Sequence, residues 1–139
     1  MDNLLDICLD WRDKKNDHFR LANTAANYMT KARMAQTVGD KDLIYDFSIE
    51  AAENFFLSAE CLESINNYAR AMFFFQFSAE GFLMASSVSE GDMFWDATFG
   101  YREALDGYNR SEDRVVYKEP NIAIFDGWVD EEEIERGED

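Results

Sequence analysis

The chain has 139 residues, 47% of them hydrophobic, a single proline, and a formal net charge of −16 at pH 7. This length predicts one domain with a substantial core, and the acidic balance argues against direct binding to nucleic acid or an anionic membrane, which requires Lys and Arg. No apolar run approaches the ~20 residues that span a bilayer, and the first ten residues are acidic where a secretory signal is basic. We therefore expect a soluble, cytoplasmic protein.

The first segment, residues 2–38, carries apolar and small residues at helical spacing. They recur in steps of three and four, which is typical of an amphipathic helix. These residues are Leu4, Cys8, Trp11, Leu21, Ala25, Tyr28, Ala32 and Ala35. The polar stretch "NDHF" in the middle of this segment leaves open whether it forms one helix or two.

Three further helical segments follow, over residues 42–63, 66–88 and 92–109. Short polar or glycine-containing stretches, "VGDKD", "SINN" and "SEGD", separate them. The segment over 66–88 contains "AMFFFQF", which places aromatic side chains around most of the helix circumference. A helix that is apolar nearly all round is either central in the fold or covered by another element.

One stretch of the chain occurs twice in similar form. Residues 34–46, "MAQTVGDKDLIYD", match residues 84–96, "MASSVSEGDMFWD", at an offset of 50 residues. Both copies read as the end of a helix, a loop and the start of the next helix. Internal duplication and the convergence of helix-turn-helix corners on Ala, Val, Gly and Asp both explain the likeness. The tetratricopeptide pattern, with its period of about 34 residues, is absent.

We predict an all-α fold, an antiparallel bundle of two long helical hairpins related by this offset of 50 residues. Residues 1–110 form the helical domain, and residues 111–139 form a C-terminal strap and an acidic tail. The strap contains two β-branched or aromatic runs, residues 115–117 and 122–125, separated by Pro120. Such runs favour a short β-like or irregular structure.

The residue types present argue against an enzyme. The one histidine, His18, lies in the polar stretch "KKNDHFR", so we predict a surface or capping role for it and no nucleophilic catalysis through it. A di-iron bundle needs Glu-x-x-His on two helices, which a single histidine excludes. No glycine-rich phosphate loop occurs. We predict no catalytic residue, no cofactor and no metal.

Two aspartate pairs recur at helical spacing, Asp42 with Asp46 and Asp92 with Asp96. Four carboxylates could hold a hard cation such as Mg²⁺, so a carboxylate metal-binding protein is one alternative. Helix capping and favourable charge near a helix N-terminus is the simpler interpretation.

Half of the net negative charge lies near the C-terminus, where the last 29 residues hold eleven acidic and three basic side chains. We predict a non-enzymatic protein-binding module, an acidic inhibitor or sequestering protein that occupies a basic, nucleic-acid-binding surface of another protein. Its composition, though no motif, resembles that of the nucleic-acid mimics of phages and mobile elements. The predicted partner-binding residues are Asp126, Asp130, Glu131, Glu132 and Glu133.

A second interpretation is a helical-repeat adaptor or chaperone that binds a peptide or helix in an aromatic groove. The two functions differ in salt dependence, because an electrostatic mimic is screened by salt and an apolar groove is not. An uncovered face containing Phe73, Phe74 and Phe77 would require a second copy of the chain, so a homodimer is compatible with either function.

Overall fold

A computed structural model describes residues 4–118 and, among them, the side chains of residues 17–115. It contains four α-helices: α1 (Leu4–Val38), α2 (Lys41–Ser64), α3 (Tyr68–Ser87) and α4 (Gly91–Lys118). The predicted all-α class and the helical hairpins are confirmed. The second predicted run of the strap, residues 122–125, and the acidic tail lie outside the described residues.

The structure decides one alternative that the sequence left open and corrects one prediction, both about where helices end. The stretch "NDHF" does not break α1, which is one helix from Leu4 to Val38. The prediction of an extended or β-like run at residues 115–117 was wrong, because α4 continues through them to Lys118. The helix penalty of a β-branched residue is only about 0.5 kcal/mol, too small to end a helix whose preceding turn holds the buried Ser111 and the Arg114–Tyr68 hydrogen bond.

The corners between helices lie at the polar and glycine-containing stretches that the sequence analysis identified. Gly39 adopts a φ of +74°, a left-handed conformation that ends α1 without a Cβ clash. Asp40 then caps α2, its carboxylate accepting a hydrogen bond from the backbone N–H of Leu43 at 3.2 Å. Asn67 caps α3 through the N–H of Arg70 at 3.3 Å. Both repeated stretches are corners, and α2 and α4 begin 50 residues apart.

Each helix packs antiparallel along the next one in sequence, and α2 also touches α4 slightly. One groove is lined by α1 and α3 with α2 beneath it, and another by α2 and α4 with α3 beneath it. The helices therefore alternate between two layers, which we call the α1–α3 layer and the α2–α4 layer. Among the described residues α1 makes no extensive contact with α4, so the array is open.

Small residues let the helices approach closely. In α4 they recur at heptad-like spacing and face α3: Ala97, Gly100, Ala104, Gly107 and Ser111. A Cβ on Gly100 or Gly107 would lie 2.5 Å from ring atoms of Phe82 or Phe75, so each ring occupies the space of a missing side chain. Buried serine hydroxyls also bridge helices, from Ser58 to the carbonyl of His18 at 2.9 Å and from Ser78 to that of Ala52 at 2.8 Å.

The end of α4 is part of the packed domain, so shortening the chain to residue 110 should destabilise it. Residues 111–118 include the buried Ser111, and the Arg114 guanidinium donates a hydrogen bond of 2.6 Å to the Tyr68 hydroxyl. We expect chain 1–110 to lose about 1 kcal/mol or more of unfolding free energy relative to chain 1–118, measured by urea titration. Equal midpoints for the two chains would contradict this role of the last two turns of α4.

Candidate functional site

The predicted partner-binding acids, Asp126, Asp130, Glu131, Glu132 and Glu133, all lie outside the described residues, so that prediction is untested. The described residues contain a different acidic surface. Helices α2 and α4 together carry twelve acidic and five basic residues, whereas α1 and α3 carry five acidic and seven basic residues. Because α2 and α4 share one layer, the excess negative charge of the helical domain lies on one side of the array.

The α2–α4 layer contains a groove with an apolar floor and carboxylates on both walls. It encloses a cavity of about 260 Å³. We call this feature the acidic groove, and define it by its lining residues Glu53, Phe56, Leu57, Phe82, Gly100 and Glu103. A surface of this kind can take up a positively charged side chain at its edge and an apolar side chain at its centre.

The helical repeat explains why these residues meet. Glu53, Leu57 and Glu60 are spaced by four and three residues, so they follow one another along a single face of α2. On α4, Glu103 stands one turn beyond Gly100. Because Gly100 has no side chain, the ring of Phe82 on α3 lies against α4 and contributes to the groove floor.

Two carboxylates on this face of α2, Glu53 in the groove and Glu60 beyond it, have raised pKa values although both residues are exposed. Burial, and then the neighbouring Glu50, raise the pKa of Glu53 above its usual value of 4.5. Burial and repulsion by Glu63 also raise the pKa of Glu60, although Arg110 opposes the shift. A cation placed in the groove would relieve this repulsion.

One arginine partly neutralises the far end of this wall. The Arg110 guanidinium donates hydrogen bonds to both carboxylate oxygens of Glu63, at 2.5 and 3.0 Å, and so joins α4 to α2. The hydrogen bond to Glu63 raises the pKa of Arg110, as does the charge of Glu63. This fork-to-fork geometry is the strong form of an ion pair, which leaves Glu53 and Glu103 as the groove acids without a described ion-pair partner.

The other end of the groove lies where the two repeated corners meet. The Tyr45 hydroxyl donates a long hydrogen bond of 3.4 Å to the carbonyl of Met93, which links the starts of α2 and α4. Burial, and then the charges of Asp96 and Glu53, raise the pKa of Tyr45. Negative charges from both α2 and α4 therefore act on the Tyr45 hydroxyl.

Removing a groove charge should stabilise the fold. The pKa of Glu53 is raised in the folded state, so ionisation of Glu53 opposes folding above its unfolded pKa and ceases to do so as pH falls towards that value. We expect Glu53→Gln to raise Tm by about 1–2 °C at pH 7, with a difference that shrinks towards pH 4.5. Glu112→Gln, at an exposed site on α4 outside the groove, is the control and should change Tm less. A lower Tm for Glu53→Gln would contradict the repulsion.

A second groove lies on the opposite side, between α1 and α3. Its cavity is about 370 Å³, and Phe55, Phe74 and Phe77 form an aromatic cluster beside it, with the Phe55 and Phe77 ring centroids 5.4 Å apart. Arg33 and Glu80 supply its charges, one of each sign. Phe73 and Phe77 remain 53% and 39% exposed, so part of the predicted aromatic face lies at the surface.

The prediction of a surface or capping role for His18 was wrong. Its side chain is buried, and the residue lies in the middle of α1 and not at a helix end. Its ring lies against Phe19, with centroids 4.2 Å apart. Burial, and then the charge of Arg70, lower its pKa. Ser58 donates to the His18 backbone carbonyl and not to the imidazole, so this contact is structural and does not activate a serine nucleophile.

The four repeated aspartates do not form a cation site in the part of the chain that the structure describes. Asp42, Asp46, Asp92 and Asp96 are exposed, and no group of three or more His, Cys, Asp or Glu side chains is placed there to hold a metal ion. Asp40, and not Asp42, caps α2, while Asp42 and Asp92 lie in the first turns of α2 and α4. Acids in a first turn favour the positive end of the helix dipole.

Sequence reasoning missed Glu53, Glu60 and Glu103 as a group. The spacing of the acids along each helix was visible in the sequence, but nothing local shows that α2 and α4 lie side by side. Comparison with protein-family models, with curated proteins and with solved structures yields no match to this chain. Among its described helices, none combines the length and the apolar character required to cross a membrane.

Proposed function

We propose that this chain is a non-enzymatic protein-binding module that takes up a basic surface of another protein and thereby inhibits or sequesters it. The observation that carries the proposal is the segregation of acidic residues onto the α2–α4 layer, together with the raised pKa values of Glu53 and Glu60. Carboxylates that repel one another in the free protein gain stabilisation when a cationic partner binds.

The charge of the layer also selects the class of partner. A phosphate backbone or an anionic lipid surface would be repelled by twelve acids against five bases. A protein with clustered Lys and Arg, including one that itself binds nucleic acid, would be attracted at long range and would associate faster at low salt. The proposal requires no cofactor and no metal, and it places the chain with its partner in the cytoplasm.

The acidic groove and the acidic tail are separate candidates for the binding surface. We assign the principal role to the groove, because its carboxylates are fixed on two helices and flank an apolar floor. The acids of the tail would add to the attraction at long range; they are Asp126, Asp130, Glu131, Glu132 and Glu133. Chain 1–118 removes all of them and keeps α4 complete, so it separates the two contributions.

The test is a pull-down from nuclease-treated lysate with three matched baits and the full chain. The baits are chain 1–118, a groove variant (Glu53→Gln, Glu60→Gln, Glu103→Gln) and a control variant with the same charge change elsewhere (Glu80→Gln, Glu90→Gln, Glu112→Gln). We expect a basic protein that is retained by the full chain and the control, lost by the groove variant, and released by high salt. Retention by the groove variant at the level of the full chain would contradict the proposal.

The α1–α3 groove supports a second candidate function, an adaptor that binds an apolar peptide or helix. The specific observation is that Phe77, which lines this groove and packs with Phe55 and Phe74, is 39% exposed. Such a partner would stay bound through high salt and would be lost with Phe77→Ser. In the same pull-down, therefore, salt resistance together with sensitivity to Phe77 favours the adaptor over the charge-based function.

A further inference from the structure

The geometry of the acidic groove points to the form of the bound partner segment: we propose that it is a basic amphipathic α-helix with an aliphatic anchor residue. This inference rests on the proposed function and extends it from the charge of the partner to its conformation. In this complex the groove floor contacts one apolar side chain of the partner. The groove walls contact Lys or Arg side chains on either side of that anchor.

The size of the cavity indicates a side-chain anchor. About 260 Å³ is at or below the lower end of the roughly 300–1,000 Å³ typical of small-molecule sites. Phe56 and Phe82 supply an aromatic floor, and Leu57 is 48% exposed at the rim. Leucine, isoleucine or methionine on a partner would cover this exposed leucine and remove its apolar surface from water.

The arrangement of charge indicates what flanks the anchor. Glu53 stands on the α2 wall and Glu103 on the α4 wall of the same cavity. Glu60 lies two turns beyond Glu53 on α2. A partner helix with an apolar residue at its centre line and Lys or Arg three or four residues to either side would place cations at both walls, since residues at that spacing share a face.

The helical architecture of the groove favours a partner segment that is helical over one that is extended. Between residues 4 and 118 the structure contains helices and no strand, so the groove offers no unpaired backbone edge for β-addition. An extended segment pressed into the apolar floor would leave buried N–H and C=O groups without partners. A helix satisfies those groups internally and presents only side chains to the floor.

The groove runs between α2 and α4. Helices α2 and α4 touch only slightly, and both run alongside α3, so the depression between them is parallel to the helix axes. On α2 the lining residues run from Glu53 to Leu57, and Glu60 continues the same face, so this wall is about 10 Å long before the Glu63–Arg110 ion pair is reached. A partner helix needs about two turns to fill this length.

The test uses the full chain and a synthetic peptide of about 18 residues, roughly five helical turns, with Leu at the centre of one helical face and Lys three and four residues to either side of it on that same face. A second peptide has the same composition in an order that forms no such face. We expect the amphipathic peptide to gain helical circular dichroism on binding and to bind at least tenfold more tightly than the scrambled peptide. Equal affinity for the two peptides would overturn the inference.

Protein variants locate the anchor. Leu57→Ala should weaken binding of the amphipathic peptide about tenfold, because the aliphatic contact at the rim is lost. Leu83→Ala is the matched control, an exposed leucine on α3 outside the groove, and should leave affinity unchanged. Equal effects of the two variants would also overturn the inference.

Failure of the inference can be told apart from failure of the proposed function. If both peptides bind equally, lose affinity in high salt and lose affinity with Glu53→Gln and Glu103→Gln, the charge-based function stands and the helical anchor is rejected. If neither peptide is sensitive to the groove carboxylates, the proposed function itself is contradicted.

Discussion

Replacing Phe75 with alanine is expected to lower the free energy of unfolding by about 4 kcal/mol, the largest effect of any single substitution considered for this fold. Phe75 is fully buried and belongs to a cluster with Ala59, Leu62 and Ala71. Its ring meets that of Phe56 edge-on, with centroids 5.3 Å apart, and it fills the space beside Gly107. Removing it leaves a cavity between α2, α3 and α4 that the surrounding backbone cannot close.

Phe73→Ala is the matched control for this substitution. Phe73 lies two residues earlier on α3 and is 53% exposed, so its removal should change the free energy of unfolding by less than about 0.5 kcal/mol. Urea denaturation followed by circular dichroism measures both variants. Similar losses at the two positions would mean that α3 does not face α4 as described.

The second large effect is expected at Gly107, where alanine should destabilise the fold by about 2 kcal/mol. In an exposed helix the same change would stabilise by roughly 1 kcal/mol, because alanine is the better helix former. Here the added Cβ would lie 2.5 Å from the Phe75 ring, which is fully buried and has no free space to move into. Overpacking of this kind commonly costs about 1–3 kcal/mol.

A double-mutant cycle with Phe75→Leu separates the clash from a general loss of helix stability. Leucine is narrower than phenylalanine, so Gly107→Ala should cost less in the Phe75→Leu background, giving an interaction energy of about 1 kcal/mol. Asn109→Ala, at an exposed position on the same helix, should be neutral or slightly stabilising. Additive effects at Gly107 and Phe75 would contradict direct contact between them.

Local patterns in the sequence predicted most of the helical fold. Apolar residues in steps of three and four identified all four helices, and Gly39 and Asp40 marked the first corner. Local patterns failed where packing outweighs propensity. Residues 115–117 have β-branched character but complete the last turn of a helix, and the polar stretch around His18 runs through the interior of α1.

The candidate site was not predictable in the same way. Glu53 and Glu103 are fifty residues apart, and only the alternation of helices between two layers places them on one groove. Gly100 gave a local signal as part of a stripe of small residues on α4, but the ring that fills its space belongs to α3. Net charge predicted a basic partner, while the location of the charge required the three-dimensional arrangement.

Glu53 and the adjacent Glu60 would connect stability to the proposed function. Glu53 and Glu60 have raised pKa values, so they oppose folding at neutral pH, and their neutralisation should stabilise the free protein. The same substitutions should weaken binding of a basic partner. This opposition of effects is typical of residues retained for binding, whereas acids that serve only solubility would be expected at sites where they do not repel one another.

An NMR titration of the full chain with the amphipathic Leu–Lys peptide shows whether the acidic groove binds a basic segment. The largest amide chemical-shift changes are expected at Glu53, Leu57, Gly100 and Glu103, and added salt should reduce them. Largest changes in the α1–α3 groove, or equal changes over the whole described chain, would contradict binding in the acidic groove.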